Sequence, residues 1–209
     1  MCQQVGHPYL SHMKKILLCV GLFVFFSTAF GQRLPYVQEY IDNYGAIAIE
    51  EQLRTGVPAA IKMAQAIHES GAGKGDLALR SNNHFGIKCK TSWTGATAYH
   101  DDDERGECFR AYDSVAFSFR DHSDFLRANK RYASLFELDP ADYKGWANGL
   151  KQAGYATNPK YPALIIRLIE TYELNMLTEL AVTILQNQKG KQHNLAVGSV
   201  LTSPPSANK

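Results

Sequence analysis

The sequence predicts an α+β chain, mostly helical, with a small β-hairpin lobe near its middle. Three observations predict it. Apolar residues recur at helical spacing on both sides of a central segment. That segment, residues 86–112, breaks instead into short extended pieces joined by turns. Finally, Pro35, Gly56, Pro58, Gly71 and Gly154 stand at the ends of the periodic runs, where helices start and stop.

The elements follow in order. Residues 1–31 read as an export signal: Met13-Lys14-Lys15 is a basic start, Ile16 to Phe26 an apolar run, and Ala29-Phe30-Gly31 a small-x-small cleavage site. Met13 is the better initiator. The apolar run falls short of the roughly 20 residues a membrane span needs, so no stable membrane insertion is expected once the signal is removed, and Cys19, lying inside the run, argues against a lipid anchor. A single folded domain is expected to occupy residues 32–177. Within it, Val37, Tyr40, Ile41 and Tyr44 mark a helical face behind Pro35, resuming from Ala48 to Leu53 before Gly56. Val57, Ala60, Ile61, Ala64 and Ile67 mark a second helix, with Pro58 as its first residue and Gly71 and Gly73 as its stop.

The β portion comprises Gly86 to Cys89, Ala96 to Tyr99 and Glu107 to Tyr112. Helices then return. Val115, Phe119, His122, Phe125, Leu126 and Asn129 form a stripe capped by Asp113 or Ser114. Asp139-Pro140 reads as a cap and first-turn proline ahead of Tyr143, Trp146, Ala147 and Leu150, with Trp146 in the core. Pro162 opens a last helix through Ile165, Leu168, Ile169, Tyr172 and Met176. Beyond it, residues 178–209 read as a polar, mobile tail.

Composition narrows the function classes. Hydrophobic residues make up 45% of the chain and charged residues 20%, the balance of an ordinary globular domain. Without Lys14 and Lys15, the 22 Lys and Arg fall level with the 20 Asp and Glu. Nothing in that balance favours nucleic acid or an acidic membrane as a partner. Of four cysteines, Cys89 and Cys108 remain after the signal, and in an exported chain they are expected to form a disulfide.

Glu69 is the residue on which the chemistry rests. It closes an apolar helix, where the negative end of the helix dipole and an apolar wall both disfavour its ionised form. A carboxylic acid still protonated near neutrality can donate to a glycosidic oxygen. Ser70 reads as a turn residue, because a serine nucleophile needs a positioned base.

Four motifs in order now carry a resemblance: Ala64-Gln65-Ala66-Ile67-His68-Glu69-Ser70-Gly71-Ala72-Gly73, Asn82-Asn83-His84-Phe85-Gly86-Ile87-Lys88, Cys108-Phe109-Arg110-Ala111-Tyr112 and Gly154-Tyr155-Ala156-Thr157-Asn158-Pro159-Lys160-Tyr161. From about Val37 to Leu177 the chain resembles the bacterial endo-β-N-acetylglucosaminidases of glycoside hydrolase family 73, which include flagellar muramidase-like enzymes. The resemblance implies a lysozyme-like fold and cleavage of the β-1,4 bond between N-acetylglucosamine and N-acetylmuramic acid in peptidoglycan. It implies Glu69 as catalytic acid and Tyr155 beside the scissile bond. Asn83, Phe85, Trp93 and Asn158 are the expected substrate-binding residues.

The second carboxylate departs from the family pattern, since Ala98 stands before Tyr99 where many relatives carry glutamate. Asp101 is the candidate in its place, with Asp103, Glu104 and Glu107 as alternatives and participation of the substrate's acetamido group as another. No metal or cofactor is required, because the histidines lack zinc spacing and the Asp101–Tyr112 run breaks calcium-loop spacing. The expected partner is the peptidoglycan glycan strand, the expected state a monomer, and the expected location secreted, periplasmic or extracellular. Two competing functions are a lytic transglycosylase or other lysozyme-like muramidase, and a non-catalytic glycan-binding module.

Overall fold

A computed structural model describes residues 33–102 and 104–201, with side chains through residue 192. The signal expected at residues 1–31 lies outside the described residues. Helices dominate: α1 (Pro35–Thr55), α2 (Ala59–Ser70), α3 (Asp76–Ser81), α4 (Val115–Ala128), a 3₁₀ helix (Lys130–Glu137), α5 (Tyr143–Gln152), α6 (Tyr161–Tyr172) and α7 (Asn175–Leu201). One antiparallel pair, β1 (Thr97–His100) and β2 (Glu107–Arg110), interrupts them. The expected class, mostly helical with a small hairpin lobe, is the one observed.

Helix α2 is the centre of the core. Ala59 to Ile67 are all buried, so this helix is enclosed on every side and not merely amphipathic. Its alanines let α1, α6 and α7 approach closely, while Ile61 and Met63 each contribute roughly 1.5–3 kcal/mol of burial. Around it, Phe119, Leu126, Trp146, Leu150, Ile165 and Ile169 are buried from the later helices, with Trp146 in the core as expected.

A helix enclosed this way must satisfy its first amides without water. Pro58 sits at the N-cap position, one residue before the place expected for it, and offers no side-chain acceptor. Two other helices supply the caps. Gln52 Oε1 on α1 accepts from Ala59 N at 2.7 Å, and Thr178 Oγ1 accepts from Ala60 N at 3.0 Å. Thr178 and Ala181 are buried, so the domain does not end at Leu177. The chain expected to be a mobile tail is instead helix α7 through Leu201, whose opening turn caps α2.

Two other boundaries differ from expectation. Helix α5 starts at Asp142, whose carboxylate accepts from Gly145 N at 2.9 Å, because Asp139 is used in a tight turn with Ala141 N. Helix α6 stops at Glu173, in the left-handed region at φ 55°, so Met176 belongs to α7. Helix α3 and the 3₁₀ helix have no counterpart in the periodic reading. Among the described residues no helix is long and apolar enough to cross a membrane.

The lobe is held by few links. Lys88 adds an isolated bridge to Phe109, and Cys89 N donates to Cys108 O at 2.8 Å. The expected Cys89–Cys108 disulfide joins the same two segments, with a Cα–Cα distance of 5.3 Å.

Candidate active site

Glu69 stands where α2 ends. Gly71, Ala72 and Gly73 take consecutive left-handed conformations with φ of 58°, 54° and 75°, which turns the chain sharply away. Ser70 ties this turn: its Oγ donates to Ala66 O at 2.6 Å and accepts from Gly73 N at 2.8 Å, while its carbonyl accepts from Gly75 N at 2.8 Å. The hydroxyl is thus a turn residue, as expected, and the carboxylate before it is released into the open space beyond the helix end.

That space is a groove of about 610 Å³, within the range of small-ligand sites. Glu69, Phe85, Lys88, Arg110, Asp121, His122 and Tyr155 line it, with Lys90 and Arg131 also on its walls. Glu69 keeps surface open to solvent, yet its carboxyl is pushed up to about 7, first by desolvation and then by the negative charge of Asp102. The two facts are compatible, since a carboxylate at a groove wall loses much of the surrounding water volume while a water can still touch it. The direction is the one the helix-end position predicts.

Tyr155 shares the groove, and burial holds its phenol well above the ordinary range, with Tyr161, Glu69 and Tyr132 adding to the effect. Its hydroxyl lies 2.8 Å from His122 Nε2. Glu69 and Tyr155 are therefore brought together, as the motifs implied.

The binding residues are distributed differently from expectation. Asn83 is buried, and its amide is spent inside the protein: Nδ2 donates to Ile87 O at 3.0 Å and Arg110 O at 2.9 Å, and Oδ1 accepts from Ile87 N at 3.0 Å. It fastens the lobe to the helices and leaves no group for a sugar. Phe85 is also buried, stacked on His122 at 4.1 Å with an 8° interplanar angle, and reaches the groove wall from the core. Trp93 lies off this groove, in a neighbouring 340 Å³ depression, with Arg110 over its ring at 4.5 Å. Asn158 is exposed, and its Oδ1 accepts from Lys160 N at 2.9 Å, which sets the turn before α6.

The acidic turn also rearranges the expected order. Asp101 Oδ1 accepts from Gly106 N at 2.7 Å, a turn-closing bond, and neither Asp101 nor Asp102 is itself among the groove-lining residues. Glu107 pairs with Lys88 at 2.8 Å. Glu104 N lies against Glu107 Oε2, and Asp103 falls outside the described residues. Asp102 is the member whose charge reaches Glu69, and its Oδ2 lies 3.6 Å from Nζ of Lys88 on the groove wall. Among the described residues no group of three or more His, Cys, Asp or Glu side chains is placed to hold a metal ion.

Comparison with known proteins gives the arrangement a family. Residues 45–174 match the family model described as glucosaminidase, mannosyl-glycoprotein endo-beta-N-acetylglucosaminidase. The chain belongs to this glucosaminidase family. It is 35% identical over 150 residues to the peptidoglycan hydrolase FlgJ of Pseudomonas aeruginosa, across 65% of this chain and 37% of that protein. It is 32% identical over 154 residues to the exo-glucosaminidase LytG of Bacillus subtilis, across 68% of this chain and 54% of that one. The chain thus spans between about a third and about half of these two curated relatives. Among solved structures it is similar to the crystal structure of a peptidoglycan hydrolase from Sphingomonas sp. A1, with a TM-score of 0.59 and 32% identity over 69% of this chain and 94% of that one.

The sequence of this family member did not single out Asp102, the acidic-turn residue whose charge bears on Glu69. Nor did it single out Lys62, fully buried behind the groove with Nζ 2.7 Å from His122 Nδ1. A signal for Lys62 was available, since a lysine in the run Ala59-Ala60-Ile61-Lys62-Met63-Ala64 interrupts a segment otherwise fit for a core.

Proposed function

We propose that this chain is a peptidoglycan hydrolase that cleaves the β-1,4 bond between N-acetylglucosamine and N-acetylmuramic acid, with Glu69 as general acid. The observation that carries this reading is a carboxyl raised to about 7 at the wall of a sugar-sized groove it shares with Tyr155. A carboxylic acid protonated at neutral pH can deliver its proton to the leaving oxygen as the bond lengthens. The two walls of the groove mix aromatic faces with charged and polar groups, which suits a ring-bearing, heavily hydroxylated polymer.

Asp102 takes the place in this reading first given to Asp101. It bears on Glu69 through space, and its Oδ2 stands 3.6 Å from Nζ of Lys88, which lines the groove. A second carboxylate serves a glycosidase either by activating water or by balancing positive charge on the sugar. The Cys89–Cys108 bond supports action outside the cytoplasm, where disulfides persist and where this polymer lies.

The test is digestion of purified peptidoglycan by the wild-type protein and by Glu69→Gln, with mass spectrometry of the released muropeptides. The expected result is a new reducing N-acetylglucosamine end, with release falling by about a thousandfold in the variant while wall binding persists. An anhydro-sugar end would make the chain a lytic transglycosylase. Equal, negligible release by both proteins would leave only a glycan-binding module.

A further inference from the structure

Behind the groove runs a line of polar contacts that cleavage chemistry does not by itself require. Lys62 is wholly enclosed on α2, with Nζ 2.7 Å from His122 Nδ1 and 3.4 Å from the carbonyl of Phe119. His122, also buried, places Nε2 2.8 Å from the Tyr155 hydroxyl. Three side chains from α2, α4 and the turn after α5 thus connect the core to the groove wall. The ring of Phe85 closes the line from one side, stacked on His122 and 5.0 Å from Nζ of Lys62.

We infer that Lys62 and His122 are positioning residues that turn the Tyr155 O–H inward, so that the phenol presents its oxygen lone pairs to whatever occupies the groove.

The direction follows from counting donors and acceptors. A lysine ammonium brings three donors and no acceptor. Among the described residues two acceptors bond Nζ, the Phe119 carbonyl and Nδ1, and no carboxylate does. The nearby acids are already engaged by another cation: Arg54 bonds Glu51 at 2.6 Å and Asp124 at 2.7 Å. A buried charge without a partner is strongly disfavoured, so the amine sheds its proton. Burial pushes Lys62 well below the usual lysine range and likewise pushes His122 down, and with no anion among the described residues bonded to Nζ both are taken as neutral.

With both neutral, the acidities set the order. An imidazole N–H is a much better donor than an amine N–H, and an amine lone pair a good acceptor. Nδ1–H therefore donates to Nζ, the amine donates to Phe119 O, and Nε2 is left as an acceptor. Among the described residues the donor facing Nε2 is the Tyr155 hydroxyl. Its proton is drawn inward, and the oxygen facing the groove becomes electron-rich. Such an oxygen favours a substrate N–H or a sugar ring gaining positive charge, and disfavours a carbonyl. That use of Tyr155 rests on the hydrolase reading, whereas the proton arrangement does not.

The tautomer is read directly by nitrogen-15 NMR of the histidine-labelled full chain at neutral pH, with His122 assigned through His122→Gln. The expected wild-type spectrum shows His122 protonated on Nδ1 and bare on Nε2. In Lys62→Met, Nδ1 loses its acceptor and the proton is expected to move to Nε2. A wild-type ring protonated on Nε2, or on both nitrogens, overturns the inference whatever the activity.

The kinetic arm uses peptidoglycan fragments. Lys62→Met is expected to stay folded with a thermal midpoint near the wild type's, because relief from burying an amine offsets the ring nitrogen left unpaired. Its kcat is expected to fall about tenfold, one hydrogen bond's worth, with KM within about twofold. In a Tyr155→Phe background the same substitution is expected to add no further loss. Unchanged kcat in Lys62→Met, or losses that multiply fully with Tyr155→Phe, overturn the positioning role. If the wild-type protein releases no product, the hydrolase reading fails and the spectrum still decides the proton arrangement.

Discussion

Helix α2 delivers Glu69 from a rod buried on every side, its first amides capped by α1 and α7. The lobe at residues 86–112 delivers its carboxylates from turns open to solvent, tied to the helices by the amides of Asn82 and Asn83, the pairing of Arg110 and Tyr112 with Asp121 and a few backbone bonds, and closed on itself by a disulfide. One side of the groove is thus fixed by close packing and the other by a handful of polar and covalent links. Packing is distributed over many contacts and tolerates the loss of one. A lobe held by few links depends on each of them.

If that contrast is real, the largest effect comes from Asn83. Its amide serves backbone groups on both sides of the turn it occupies, Ile87 N, Ile87 O and Arg110 O. Ile87 O keeps its bond from Arg110 N, so Asn83→Ala strands Ile87 N and Arg110 O, at roughly 1–3 kcal/mol for each unsatisfied group, and the expected destabilisation is about 4 kcal/mol in urea unfolding. A loss below about 1 kcal/mol would mean that water replaces the amide and that the lobe is not held there.

The disulfide comes next. Cys89 and Cys108 are separated by 19 residues, a closed loop worth about 3 kcal/mol on the chain-entropy model. The paired Cys89→Ala, Cys108→Ala variant is expected to lower the unfolding free energy by that amount while far-ultraviolet circular dichroism keeps its helical shape. Hydrogen exchange sharpens the comparison: protection is expected to fall at Ile87, Cys108 and Arg110 and to stay unchanged along α2. Equal loss of protection in both regions would show one cooperative unit where the contrast asserts two.

The same contrast separates what was legible in the sequence from what was not. Helical stripes such as Val57 to Ile67 are local: their spacing alone states which face is buried, and Gly71 marks the end. Glu69 was legible for that reason, as were the disulfide and Tyr155 within a contiguous motif. The roles of Asn83 and Asp101 depend on which backbone atoms the closed lobe brings near, and residue type does not state that. An asparagine grips a sugar or a buried peptide group with the same atoms. Helix α7 was hidden by its polar composition, because its first turn is held by capping α2 and not by an apolar stripe of its own. Lys62 interrupts an apolar run, and only the fold shows that His122 is its partner.

The smallest effect discriminates most finely, since it asks which acid of an exposed turn faces the helix end. Asp102 adds negative charge near Glu69, whereas Asp101 closes a turn onto Gly106 N. Asp102→Asn is expected to lower kcat on peptidoglycan by about a hundredfold, within the range for a missing acid–base partner. Asp101→Asn keeps an acceptor for Gly106 N and is expected to stay near wild type. The pH profile carries the sign. Glu69 must be protonated to donate, so activity falls as pH rises through its value of about 7. Removing the charge of Asp102 withdraws one of the two causes that raise Glu69, so the alkaline limb in Asp102→Asn moves to lower pH. A limb that stays in place in Asp102→Asn and moves in Asp101→Asn would return the second carboxylate to Asp101 and break the assignment made from the folded lobe.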